Sequence, residues 1–130
     1  MDDSKLRRAE GHGYTGAVAA HRRCAGAQVS RIMHPPGQRI DAHGHDWPVL
    51  ALYRIGAYRE QSEDGEAHFD GPSVVFQPAG VAHADDIGAR GLETLAMTFD
   101  PAWLGVKLPA QTCWRHGGAL AAASRRMAAL

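Results

Sequence analysis

Gly37-Gln-Arg-Ile-Asp-Ala-His43-Gly-His45-Asp-Trp-Pro-Val49 is the stretch on which the reading of this chain turns. In an extended segment successive side chains point to opposite faces, so His43 and His45 project the same way. Their backbones then lie roughly 7 Å apart, close enough for two imidazoles to meet one ion. In a chain with eight histidines such a short motif carries little weight alone, and its context decides.

The context is a second segment, Gly71-Pro-Ser-Val-Val-Phe-Gln-Pro78-Ala-Gly80-Val-Ala-His83. A β-branched run predicts a strand and Pro78-Ala-Gly80 a tight turn, because proline fixes one φ and glycine supplies a positive one. The turn aims the chain at His83. Two strand-borne histidines and one held by a turn make His43, His45 and His83 a candidate metal-ligating set.

From Val49 to Ile55 the run Val-Leu-Ala-Leu-Tyr-Arg-Ile continues the strand of the histidines. With His43 and His45 inward, Val49, Ala51, Tyr53 and Ile55 are also expected inward. Trp47, Val49 and Tyr53 are then candidate pocket-lining residues. Leu50 and Leu52 fall on the outer face, where a solvated strand would be polar, so a second protomer or a second layer must cover them.

After Gly56, Ala57–Glu60 reads as a return strand and residues 62–65 as a polar turn. Glu60 is the nearest downstream carboxylate, a candidate fourth ligand or an exposed glutamate. Asp85 shares the strand parity of His83, which makes it a candidate ligand or a hydrogen-bond acceptor that orients an imidazole. Asp46 and Asp86 have the opposite parity and are expected in solvent. His12 and His21 read as surface residues, His34 as a turn-capping or exposed residue that could instead approach the site, and His68 as part of a strand. Leu92–Phe99 alternates Leu95, Met97 and Phe99 against Thr94, Ala96 and Thr98, a half-buried strand.

Zero formal charge and a pI near 7 give no electrostatic footprint for nucleic acid or an anionic membrane surface. The apolar runs are far below membrane-spanning length. Cys24 and Cys113 lack metal or redox spacing, and the opening residues lack an apolar signal segment, so a cytoplasmic protein with free thiols is expected.

Residues 1–13 read as a flexible leader, 14–112 as one β domain, and 113–130 as a helix or linker. Short strands are expected at residues 14–18 and 28–33. Asp100-Pro101 opens a helical turn that packs Trp103 on the domain. In the Ala-rich tail Leu120, Ser124, Met127 and Leu130 fall near one helical face, and the pattern runs to the last residue without a cap. Leu120 and Met127 join Leu50 and Leu52 as candidate dimer or packing surface. Many short strands followed by a helix fit an all-β barrel or jelly roll with ligands in its mouth.

The pattern G-x5-H-x-H over Gly37–His45, with Gly56 eleven residues after the second histidine, resembles the first motif of the cupin superfamily. Gly71–His83 resembles the second. The resemblance covers about residues 28–99 and implies a small cupin barrel, a double-stranded β-helix. Two positions depart from it: Val49 stands where a carboxylate is usual, and Ile87 where a polar residue is.

The run from His43 through Glu60 to Asp85, then Phe99-Asp-Pro-Ala-Trp103-Leu104, further resembles the N-terminal effector-binding and dimerisation domain of AraC-type transcriptional regulators. This resemblance implies a homodimer that senses a small molecule or metal. It would meet DNA only through a C-terminal pair of helix-turn-helix motifs, of which this chain holds no residue. The alternative is a stand-alone metal-dependent cupin enzyme of oxygenase or isomerase type, since three neutral histidines leave a coordination position open. Zinc, nickel, iron, copper and manganese all accept such ligands. The missing carboxylate weighs toward the sensor.

Overall fold

The computed structural model describes residues 17–117 and, in the tail, Ala119, Ala122, Ala123 and Arg126, which are helical. The expected leader 1–13 lies outside these residues, as do Leu120, Ser124, Met127 and Leu130.

Eight strands form one antiparallel system: β1 (Ala17–Cys24), β2 (Ala27–His34), β3 (Arg39–His43), β4 (Val49–Ser62), β5 (Gly65–Asp70), β6 (Ser73–Gln77), β7 (His83–Phe99) and β8 (Cys113–His116). The path β1-β2-β7-β4-β6-β8 is flanked by β3 on β7 and β5 on β4. One helical turn, α1 (Pro101–Leu104), begins where the sequence predicts. The Asp100 carboxylate accepts from the Ala102 N–H at 2.9 Å, and Gly105 closes the turn in the left-handed conformation. Trp103 lies so close over Gly26 that a Cβ there would fall 2.1 Å from its ring.

Strands β4 and β7, 14 and 17 residues long, each pass through both layers of the barrel. The first part of β4 pairs with β6 and with Thr94–Thr98 of β7. Its second part pairs with β5 and with His83–Ile87. Between the halves the register slips twice, around Arg54 and around Ala57. At the bend Gly56 has φ 109°, and a Cβ there would lie 2.0 Å from the Gly91 carbonyl, so only glycine lets the strands cross this closely.

These slips correct the sequence reading in two ways. Ala57–Glu60 is the continuation of β4, not a return strand. Ile55, expected inside, is 55% exposed, because the bulge breaks the alternation that holds for Val49, Ala51 and Tyr53. Two further segments differ. His21 lies on β1 rather than in a loop, and residues 113–116, read as the start of the tail, pair with β6 as β8.

The core joins the layers: Ile32, Val49, Ala51 and Tyr53 pack with Ile40, Tyr58 and Ile87. Along Leu92–Phe99 the interior receives the small and hydroxylated face, Thr94, Ala96 and Thr98, while Leu95 and Met97 turn outward. Among the described residues no helix is long and apolar enough to cross a membrane.

Candidate functional site

The three motif histidines converge inside the barrel. His43 and His83 are direct partners across the β3–β7 ladder, and their ring centroids lie 4.4 Å apart. Each lies 5.1 Å from the ring of His45. One ligand atom from each of the three falls within 4.8 Å of the others. His45 reaches this point from beyond the end of β3 rather than from within a strand. Its carbonyl accepts the Gly80 N–H at 2.9 Å, which ties the histidine segment to the Pro78–Gly80 turn that aims His83. Gly80 has the positive φ, 79°, that the turn demands.

The chemistry of the donors fits a metal. The Nδ1 of His43 lies 2.8 Å from the Asp41 carbonyl, a contact that places the proton there and leaves Nε2 as the free lone pair. Burial lowers His45 to about 4 and His83 to about 3, with charge on His43 adding to the effect, so both imidazoles are neutral near pH 7. The Nδ1 of His83 and Oδ1 of Asp85 are buried without a hydrogen-bond partner, atoms that a bound ion or its waters would satisfy.

Beside the histidines lies a pair of buried acids. Asp85 sits opposite Glu60 across the β4–β7 ladder, with one carboxylate oxygen 3.9 Å from His83 Nε2. Glu60 is fully buried and accepts from the indole N–H of Trp114 on one oxygen and from the Gln77 amide on the other. Burial raises both carboxyls, and the charge of Glu60 lifts Asp85 further, to about 8. A carboxyl raised this far stays protonated near pH 7, and that carboxyl is Asp85. Burial also pushes the Tyr53 phenol well up, with Asp85 and Glu60 adding to the shift.

A cavity of about 50 Å³ joins these groups, lined by the three histidines, Asp85, Val49 and Tyr53 among others. Trp47 is buried but does not line it, contrary to the sequence reading. Glu60 lies behind Asp85, held by Trp114 and Gln77. His34, Gln77 and Thr94 also border the cavity. For His34 this is the less favoured of its two sequence readings, and no sequence signal singles out Gln77 or Thr94. The even spacing of Gln28, Ser30 and Ile32 against outward Val29, Arg31 and Met33 is the signal that would have turned His34 inward.

Solved structures show what this arrangement resembles. The chain superposes on the Schizosaccharomyces pombe Cnp3 cupin domain with a TM-score of 0.58 at 8% identity, over 70% of this chain and 68% of that one. The fold is a small cupin barrel. An RmlC-like cupin family protein with a double-stranded β-helix fold from Methanocaldococcus jannaschii gives 0.57 at 20% identity, over 71% of this chain and 87% of that one. A Bacillus subtilis oxalate decarboxylase variant gives 0.50 at 17%, over 70% of this chain and 31% of the longer cupin. No family model matches the sequence, and no curated protein is similar to it. At these identities the likeness establishes the cupin fold, and function has to be argued from the site.

Proposed function

We propose that this cupin is the sensory and dimerisation domain of an AraC-type transcriptional regulator, with His43, His45 and His83 as ligands of a divalent transition metal. Asp85, which lines the same cavity as Val49, is the candidate fourth ligand. Glu60 fixes Asp85 rather than ligating, because its two oxygens already accept from Trp114 and Gln77. The observation that carries the reading is the convergence of three imidazoles beside a cavity of about 50 Å³, which has room for an ion and a few waters.

A ligand biases the DNA-binding half only as far as its affinity differs between two arrangements of barrel and tail. Ala123 of the tail borders a groove on the outer sheet face, which supports a coupling between the two. On this reading the dimer surface is Leu50 and Leu52 or the tail helix, DNA is met only through a helix-turn-helix half that this chain does not include, and the whole acts in the cytoplasm. The test has two arms. A reading frame continuing past Leu130 into two helix-turn-helix patterns is expected, and one that stops there overturns the regulator. Zinc, nickel, iron, copper and manganese are offered in turn to the metal-free chain. A bound equivalent that falls at least tenfold in affinity in His43→Ala supports the ligand set, and full retention removes His43 from it.

The buried acids beside His83 favour one second reading, a metal-dependent oxygenase acting on a substrate of a few atoms. Dioxygen uptake by the iron-loaded chain with small carboxylic acids, lost in Asp85→Asn, would place it ahead of the sensor.

A further inference from the structure

The outward face of the sheet is apolar across β2, β7, β4 and β6. Val29, Leu95, Leu50, Leu52 and Val74 all line one groove of about 550 Å³, and Ala123 of the tail lies on its border. The face is therefore part of a walled cavity, within the ~300–1,000 Å³ range of small-molecule sites and roughly an order of magnitude larger than the metal cavity.

Among the described residues, the charged side chains that line it are cationic. Arg22 and Arg31 both line the groove. Arg22 is opposite Val29 in the β1–β2 ladder and Arg31 is two residues further along β2, which makes the two arginines diagonal neighbours on one face, about 7–8 Å apart at their backbones. The nearby acid, Glu93, is engaged by Arg54, and Arg31 approaches it only through Nε at 3.8 Å. Two guanidinium forks at the border of an apolar trough match a ligand with one anionic end and one hydrocarbon body, because the planar fork pairs a carboxylate in bidentate fashion.

We propose that this groove binds a single-chain aliphatic carboxylate, its acid group held between Arg22 and Arg31 and its chain laid over Leu50, Leu52, Leu95 and Val74. The binding stands apart from the metal site. It rests on the sensor reading only for its consequence, in which the ligand occupies the space between sheet and tail and is the effector.

Dodecanoate is the probe, titrated calorimetrically into the 130-residue chain below its micellar concentration. One equivalent is expected to bind, with dodecanol at least tenfold weaker. Arg22→Gln combined with Arg31→Gln lowers dodecanoate affinity at least tenfold. Val74→Trp, which fills the groove, abolishes binding while the far-ultraviolet dichroism stays unchanged, and His43→Ala binds as wild type. Absence of dodecanoate binding overturns the proposal, as does equal affinity for the alcohol. Loss of binding in His43→Ala but not in the double arginine variant would move the ligand into the barrel and also overturn it. Sedimentation at the same concentrations adds a further arm: a dimer that dodecanoate does not dissociate and that Leu50→Lys does would assign the groove to a second copy instead. If dodecanoate binds as expected but leaves DNA binding of the full regulator unchanged, the site stands, its role as effector fails, and the metal-based sensor reading is untouched.

Discussion

Glu60 and Asp85 are direct partners across the β4–β7 ladder, and both carboxyls are buried. The pair gives the metal-free protein a distinctive response to pH. Asp85 is raised from 3.8 to about 8, so the unfolded chain releases this proton before the folded one does. The contribution is complete below about pH 4 and is lost as pH rises to about 8. His45 and His83 are lowered from 6.5 to about 4 and 3, so their contribution is complete above about pH 6.5 and is lost on acidification. The trends oppose below pH 6.5. Between 6.5 and 8 the carboxyl pair dominates, and the urea midpoint measured in chelator should fall as pH rises. In Asp85→Asn, which keeps the shape and has no proton to release, that fall should vanish; an unchanged slope would refute the raised Asp85 carboxyl.

Replacing Glu60 tests how the pair is supported. Glu60→Ala leaves the Trp114 indole and the Gln77 amide without their acceptor in the interior. A loss of about 3 kcal/mol or more is expected by urea denaturation. Glu60→Gln, which can still accept one of the donors, should cost about half as much. Near-neutral stability of the alanine variant would show that the network does not hold as drawn.

The crossing of β4 and β7 makes a steric prediction. Gly56→Ala brings a methyl to within 2.0 Å of the Gly91 carbonyl at a φ of 109° and should cost more than about 3 kcal/mol by thermal unfolding. Gly37→Ala also has a positive φ, 70°, but nothing within 4 Å of the added carbon, so its cost should be the backbone term alone, about 1–2 kcal/mol. Equal losses at the two positions would remove the close approach as the cause.

Val49 offers a gain-of-function test. It lines the cavity at the position where the cupin resemblance expects a carboxylate. Val49→Glu should destabilise the metal-free chain by several kcal/mol through an unpaired buried charge, and a divalent metal should restore the loss. The readout is the metal-induced rise in melting temperature, expected to be larger than in wild type. Failure of any metal to restore stability would place the cavity's centre away from Val49.

Much of this was legible in the sequence because its local signals agreed with the global fold. The alternation of Val49, Ala51 and Tyr53, the Pro78–Gly80 turn and the Asp100 cap all appear in the structure as residue chemistry dictates. What escaped depended on non-local geometry. A bulge is invisible to a period-two count, so Ile55 was placed inside and the inward register of Glu60 was unresolved. Trp114 was absorbed into an apparent tail, because nothing in Cys-Trp-Arg-His announces a strand until β6 is there to pair with it. The outer face was legible as a conflict: Leu50 and Leu52 demanded a cover, and the structure gives them a groove.

Because β4 and β7 each run through both layers, the walls of the barrel are two stretches of the same ribbon and cannot part like the halves of a shell. The main-chain bond from Gly80 to His45 ties the turn ahead of His83 to the segment that carries His45. Two of the three converging imidazoles are thereby fastened to each other through the backbone, so a change in one loop is carried to both.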